Sequence, residues 1–205
     1  LETTIPGLYA IGEANFSDHG GNRLGASALM QGLADGYFIL PVTIGDYLSK
    51  KFAEPKTDIN RPEFAEAEKA VQKRIDDLFA VKGTVPVDVL HKELGHIMWE
   101  YVGMARDAEG LKKAIKEIDE LKEKFYKTVR VPGTQFEFNQ ELEKALRLED
   151  FFEIGKLMAR DAYERNESCG GHFRIESQTE EGEAKRDDKN FMHVAAWEYK
   201  GEGVE

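Results

Sequence analysis

The sequence predicts a mainly α protein: an antiparallel helical bundle of the spectrin-repeat kind, with a small C-terminal β-containing segment. Three observations point there. Apolar residues recur at three- and four-residue spacing through four successive stretches between about 62 and 163, the period of helices that bury one face. Those stretches are parted by brief breaks at Gly83, Gly103 and Pro132-Gly133, the length of connection that sets helices side by side. After Cys169-Gly170-Gly171 the helical period is lost.

In chain order, Ile5-Pro6-Gly7 is a turn leading into Leu8-Tyr9-Ala10-Ile11, four apolar residues that read as a strand buried on both faces of a parallel sheet. One strand makes no sheet, so the chain is expected to be a fragment, or the strand to lie at an edge. A Gly12-Glu13 pair follows, then a glycine-rich loop, Asn15 to Gly25, that carries His19, Asn22 and Arg23. The helix from about Ala26 to Leu40 is apolar nearly all round and is expected to be buried. Strand, loop and helix start together favour an anionic or dinucleotide ligand, because first-turn N–H groups lack partners and the helix dipole attracts negative charge. Ala28, Gly32 and Gly36 share one face of that helix, and two interior glycines cost roughly 1 kcal/mol each, which predicts close approach to a backbone or a flat ligand. Pro41 should kink or end the helix, with a further helical piece from Val42 to Lys51.

Phe52–Arg61 reads as a linker, and Pro62 suits a first helical position. The bundle then begins. Its first seam is Phe64, Ala67, Val71, Ile75 and Leu78, stopped at Gly83. Asp88 is a candidate N-cap for a helix with the face Leu90, Leu94, Ile97, Met98 and Tyr101. Asp107 can cap the next, whose seam is Leu111, Ala114, Ile118, Leu121 and Phe125. Asn139 can cap the longest helix, running to about Tyr163, with Glu141 and Glu143 well placed in its first turn. Its second half (Phe151, Phe152, Ile154, Leu157, Met158) is apolar on most faces and is expected at the bundle centre. His172–Ser177 is a candidate strand, Gln178–Asn190 a loop, and Phe191–Tyr199 a half-buried strand. The tail after Lys200 is expected to fray.

Composition removes several function classes. Twenty-eight Lys+Arg against 39 Asp+Glu give a net charge of −11, which argues against a general binder of phosphate backbones. The single cysteine, Cys169, excludes an intrachain disulfide and fits a reducing compartment. The longest apolar stretch, Leu29–Val42, is broken by Asp35 and Pro41, so no run reaches the roughly 18 to 20 residues of a membrane span. His91 and His96 are five apart rather than the i, i+4 that puts two metal ligands on one helix face. Cys169 and His172 are near in sequence, but nothing supplies the third group a nucleophilic pair needs. Asp187-Asp188 is read as a turn cap.

At Gly12-Glu13 and at His19-Gly20-Gly21-Asn22-Arg23-Leu24-Gly25-Ala26-Ser27-Ala28-Leu29 the chain resembles the flavoprotein subunit of succinate dehydrogenase and fumarate reductase. That family ends its FAD-binding domain in a G-L-F/Y-A-x-G-E strand, an H-G-A-N-R-L-G-x-N-S-L loop and a helix. Glu167–Arg174 resembles the family's E-S-R-G-x-H-F/Y-R element, and Arg186–Met192 its R-D-D-x-N-W-M/L element. The three motifs stand in the family's order. The departures are plain: Gly21 stands where the family has alanine, the family's Asn-Ser is Ser27-Ala28 here, and Cys169 stands where the family has arginine.

The resemblance implies that residues 1–52 are the last strand and helix of an FAD-binding α/β domain, 53–166 the helical domain, and 167–205 a small C-terminal β-containing domain. It implies that the dinucleotide motif, the flavin-linking histidine and the proton-transferring arginine lie outside this chain, so the chain alone is expected to be inactive. By the same resemblance Glu13 hydrogen-bonds FAD, Ala28 and Leu29 face the flavin ring, and Arg23 grips the dicarboxylate, succinate or fumarate. Electrons would pass to or from an iron–sulfur subunit on membrane anchor subunits, at the inner face of the cytoplasmic membrane. L-Aspartate oxidase shares the glutamate-to-helix motif, but the Arg186–Met192 element favours the respiratory enzyme. The alternative from another class is a self-standing acidic helical-bundle interaction module.

Overall fold

The computed structural model describes residues 1–201; the rest of the tail expected to fray lies outside the described residues. The chain divides into two compact units. The first holds Leu1–Lys56, Cys169–Gly171 and the residues from Lys185 on; the second holds Thr57–Ser168 and His172–Ala184.

In the first unit, Ile5–Leu8 forms a tight turn with Gly7 at φ +84°, and Tyr9 makes an isolated antiparallel bridge with Glu2. The strand expected over Leu8–Ile11 is reduced to that bridge, because no second strand lies beside it among the described residues. A 3-10 segment, Gly12–His19, leads to α1 (Ser27–Ala34), a π-helical turn (Asp35–Ile39) and α2 (Leu40–Lys51). Pro41 therefore does not end the helix. It has no N–H and its ring crowds the carbonyl four residues back; the wide π turn just before it relieves both conflicts. The expected burial is not realised: of this helical run only Ala28 and Asp35 are buried, while Leu29 is 74% and Phe38 77% exposed. The single-turn α7 (Asp188–Phe191) is capped by Asp187, which accepts from the Asn190 N–H. Beyond it, the strand expected to Tyr199 is irregular and exposed, with no neighbour to form a ladder among the described residues.

The second unit is built on four helices: α3 (Pro62–Val81), α4 (Val87–Tyr101), α5 (Ala108–Thr128) and α6 (Gln140–Glu164). Two short parallel pairs tie their ends. Strand β1 (Val85–Pro86) lies beside β3 (Val129–Arg130), and β2 (Ala105–Arg106) beside β4 (Phe173–Arg174). The strand expected over His172–Ser177 is thus two residues long.

Asp107 caps α5 by accepting from the Gly110 N–H at 2.7 Å, and Asn139 caps α6 by accepting from Leu142 at 3.1 Å, as the sequence predicts. Asp88 does not cap α4. The N-cap there is Pro86, which sets Asp88 in the first turn, where it pairs with Lys144 at 3.1 Å. All five expected seam residues of α5 are buried. Ile118, Leu121 and Phe125 meet Leu90 and Leu94 of α4 and a face of α6 that includes Leu142, Ala145, Leu148 and Phe152, while Leu111 and Ala114 pack in a second cluster with Val102, Ala159 and Ala162. Two expectations fail. Only the end of α3 packs, through Ile75, Leu78, Phe79 and Val81, so Phe64 and Val71 are 50% and 55% exposed. In the second half of α6 the buried positions are Phe152, Gly155, Ala159 and Ala162, whereas Phe151, Ile154, Leu157 and Met158 lie at the surface. Small residues at those positions let α6 lie close against its neighbours; the Met98 sulfur would sit only 3.2 Å from a methyl added at Gly155.

Candidate functional site

The stretch singled out by sequence, Gly7–Leu29, is organised by two side chains of the helix that follows it. Extended Ile11 delivers the chain to Gly12, whose φ of +60° suits a residue without a Cβ. The Gly12 N–H donates to the Asp35 carboxylate at 3.0 Å, and Asp35 is 5% exposed. One turn earlier on the same helix, the Gln31 side-chain amide donates to the Asn15 carbonyl at 3.0 Å, while its oxygen meets the His19 ring. Gly32 lies against Gly12, where a methyl would stand 3.9 Å from the Gly12 Cα, so one of the two predicted glycine approaches is made; Gly36 faces open space. His19 therefore orders the loop through Gln31.

These bonds lay the 3-10 segment along α1 and leave its polar groups outward. Glu13 and Arg23 are both exposed, and no bond joins either to the other among the described residues. Ala28 is buried in the first turn of α1, and Leu29 beside it is exposed. The start of that helix is open. Ala26 precedes it in a left-handed conformation at φ +64°, and no side chain caps it. The Ser27 hydroxyl turns back to the Leu24 carbonyl at 2.7 Å. Among the described residues the N–H groups of Ala28 and Leu29 have no acceptor. Unpaired donors at the positive end of a helix dipole are what an anionic edge of a ligand requires. Sequence reading missed Asp35 and Gln31. The signal for Asp35 is a charge inside an otherwise apolar helix, which a hydrophobicity pattern shows only as a break.

A second polar cluster sits at the end of α6 in the second unit. Arg174 is 2% exposed and donates to the Ala162 and Tyr163 carbonyls at 2.9 and 3.0 Å, satisfying the last turn of the helix. Its guanidinium also pairs with Glu176, which accepts from the Ala108 N–H at the start of α5. Buried Glu167 pairs with Arg165 at 2.8 Å, and the His172 ring donates to the Arg165 carbonyl at 2.7 Å. Burial pushes the His172 imidazole pKa down, the charges of Arg106, Arg174 and Arg165 push the same way, and only the Arg165 carbonyl opposes them. Burial, then the charge of Arg174, also lowers the Arg106 guanidinium. The geometry is that of a fastening between α5, α6 and the C-terminal segment, with carboxylates answering Arg165 and Arg174, while the buried Arg106 Nε has no hydrogen-bond partner among the described residues. His91 stacks on Phe151 with ring centroids 5.4 Å apart. Among the described residues no group of His, Cys, Asp or Glu is placed to hold a metal, and no helix is long and apolar enough to cross a membrane.

Comparison with known proteins agrees with the sequence motifs. The family described as "Fumarate reductase flavoprotein C-term" matches residues 91–205. An uncharacterised FAD-dependent oxidoreductase of Methanocaldococcus jannaschii is 35% identical over 84% of this chain and 29% of its own length. The fumarate reductase flavoprotein subunit of Escherichia coli is 34% identical over 96% of this chain and 31% of its own. The succinate dehydrogenase flavoprotein subunit of Bacillus subtilis is 33% identical over 84% and 29%. Among solved structures, a quinol-fumarate reductase with menaquinol molecules matches at a TM-score of 0.75 and 31% identity, over 93% of this chain and 31% of that one. The Mycobacterium smegmatis Sdh1 complex matches at 0.66 and 28%, over 83% and 27%. The chain thus spans about three tenths of the length of these relatives.

Proposed function

Since this chain belongs to the family of fumarate reductase and succinate dehydrogenase flavoprotein subunits, we propose that it is the C-terminal part of an FAD-dependent enzyme that interconverts succinate and fumarate. The observation that carries the reading is the open start of α1, with the Glu13 segment bonded along the same helix through Asp35 and Gln31. On this reading residues 1–52 close an FAD-binding domain, 53–166 are its helical partner, and 167–205 a small C-terminal domain.

The residues present fit the cofactor. Glu13 offers a solvent-facing carboxylate, an acceptor only, suited to hydroxyls of FAD. The unpaired N–H groups of Ala28 and Leu29 suit an electron-rich edge of the flavin ring and would hold it through backbone alone, because Ala28 has no hydroxyl. When bound, FAD supplies the hydride chemistry at the C2–C3 bond of the dicarboxylate. Arg23 binds a carboxylate of that substrate with both prongs of its guanidinium, a geometry lysine does not reproduce. Electrons leave or arrive through an iron–sulfur subunit held by membrane anchors, which places this chain peripherally at the inner face of the cytoplasmic membrane.

The test uses the FAD-loaded flavoprotein that carries this chain. Replacing Arg23 with Gln should lower kcat/KM for fumarate roughly a hundredfold, since removing one partner of a desolvated charge pair costs about 2–5 kcal/mol. The 205-residue chain by itself should turn over neither dicarboxylate. Turnover by that chain, or an Arg23→Gln enzyme of undiminished kcat/KM, would overturn the reading.

A further inference from the structure

We propose that Cys169-Gly170-Gly171 is the positioning element for the Asn22-Arg23 loop, so that an interlock of Gly170 with Gly21 sets affinity for the dicarboxylate. The inference rests on the reading of Arg23 as the carboxylate-binding residue. Little else holds that loop. Upstream, the 3-10 segment is bonded to α1 and the π turn up to His19. Downstream, Ser27 holds Leu24. Between them Gly20–Arg23 are exposed, and a guanidinium fork on a loose loop loses the fixed geometry that makes it selective.

Cys169–Gly171, in the same compact unit, closes that gap. Gly170 takes φ +59°, and a Cβ on it would stand 2.1 Å from the Gly21 carbonyl oxygen and 3.0 Å from the Asn22 Cβ. The two backbones are nearer than any side chain permits. The Gly171 N–H points at the same Gly21 oxygen at 3.5 Å. From the other side, a Cβ on Gly21 would meet the Cys169 sulfur at 3.1 Å. Gly171 is unlike its neighbour: a Cβ there meets nothing within 4 Å. The contact therefore acts on the two residues immediately before Arg23, from a segment far away in sequence, and touches no cofactor-binding position. Its effect belongs in substrate affinity, with the chemical step spared.

The experiment again uses the FAD-loaded flavoprotein, reading dicarboxylate Kd from the perturbation of flavin absorbance together with KM, kcat and FAD content. Gly170→Ala should raise Kd and KM for succinate and fumarate about tenfold or more, since small misplacements of a positioning group cost that much, with kcat and FAD content nearly unchanged. Gly171→Ala should match the parent. Gly21→Ala should raise Kd by about threefold through its contact with the sulfur, and adding Cys169→Ala should restore it, while Cys169→Ala alone is silent. That cycle decides the matter where Gly170→Ala does not fold. Equal effects of Gly170→Ala and Gly171→Ala, a loss confined to kcat or FAD content, or a Gly21→Ala defect that Cys169→Ala leaves in place, would each overturn the interlock. If Arg23→Gln abolishes binding while the interlock variants are silent, the interlock alone falls; if Arg23→Gln leaves binding intact, the site reading falls and takes the interlock with it.

Discussion

A single added methyl separates two glycines of the helical unit. Gly83 follows the end of α3, and a Cβ there would stand 1.9 Å from the Thr128 carbonyl oxygen and 2.6 Å from that of Val129, which already accepts from the Gly83 N–H at 3.1 Å. No rotamer relieves a clash with backbone. Gly83→Ala should therefore destabilise the chain by about 2 kcal/mol or more, the cost of overpacking where the neighbours cannot yield. Gly95, in the middle of α4, faces open space and has ordinary helical backbone, so Gly95→Ala should stabilise by about 0.5–1 kcal/mol by removing unfolded-state freedom. Urea midpoints of the two variants should move in opposite directions. Sequence marked Gly83 as a stop but could not show why, because the reason is a backbone 45 residues later. Caps were legible where the reason is local: Asp107 and Asn139 each stand just before an apolar period. Asp88 lies two positions inside the helix because Pro86, with its extended backbone, takes the cap.

At the scale of elements, α5 and α6 show what a hydrophobic period can and cannot say. The apolar positions of α5 lie on one stripe among charges, and all of its predicted seam is buried. The second half of α6 carries apolar residues on most faces, so its period does not name the inward one; the packed face is instead the one with Gly155, Ala159 and Ala162, where helices can approach. The end of α6 also carries a pH dependence. His172 is held below its ordinary pKa, chiefly by burial and then by the three arginines. Below about pH 6.5 the unfolded chain binds a proton that the folded chain refuses, so stability falls as pH drops through that value and levels off below the folded pKa. For Glu176, burial raises the carboxyl, but the Ala108 N–H and Arg174 outweigh it and hold it below the usual range. Its contribution is present above the ordinary carboxylate pKa and is lost as pH falls through the lower, folded value, a more acid window. His172→Gln keeps a donor for the Arg165 carbonyl without titrating. Urea midpoints taken from about pH 7.5 to 5 should fall for the parent and stay flatter for this variant, with both declining in the more acid window. Parallel curves above that window would rule out the histidine's part.

For the whole chain, the sequence reported which residues are suited to burial, and the structure reports which of them find something to be buried against. Among the described residues, Ala28 is the one buried hydrophobic residue in the first unit; the rest belong to the second. Leu8–Ile11 and the helical run from Ser27 to Lys51 have the composition of a domain interior, yet Leu29, Met30, Leu33, Tyr37, Phe38 and Val42 are exposed. Burying one such side chain contributes about 1.5–3 kcal/mol, and here almost none of that is collected. The same gap limited the site. Glu13, Arg23 and the start of α1 are recognisable by residue type and spacing, whereas on the proposed reading the groups that complete them belong to the rest of the flavoprotein. A difference in local stability follows. The second unit, with its own core of Leu90, Leu94, Ile118, Phe125, Leu148 and Phe152, should unfold cooperatively, and its central amides on α5 should exchange only through that global unfolding. The amides of α1 and α2 should exchange orders of magnitude faster, through local opening that costs little apolar burial. Hydrogen exchange read by mass spectrometry on the 205-residue chain checks this directly. The polypeptide Thr57–Ala184 should keep the parent's urea midpoint and sediment as a monomer, while the parent self-associates with rising concentration through its exposed helix. Protection of α1 and α2 equal to that of α5 in a monomeric parent would mean that the first unit carries a core of its own, and the reading of it as one wall of a larger domain would fail.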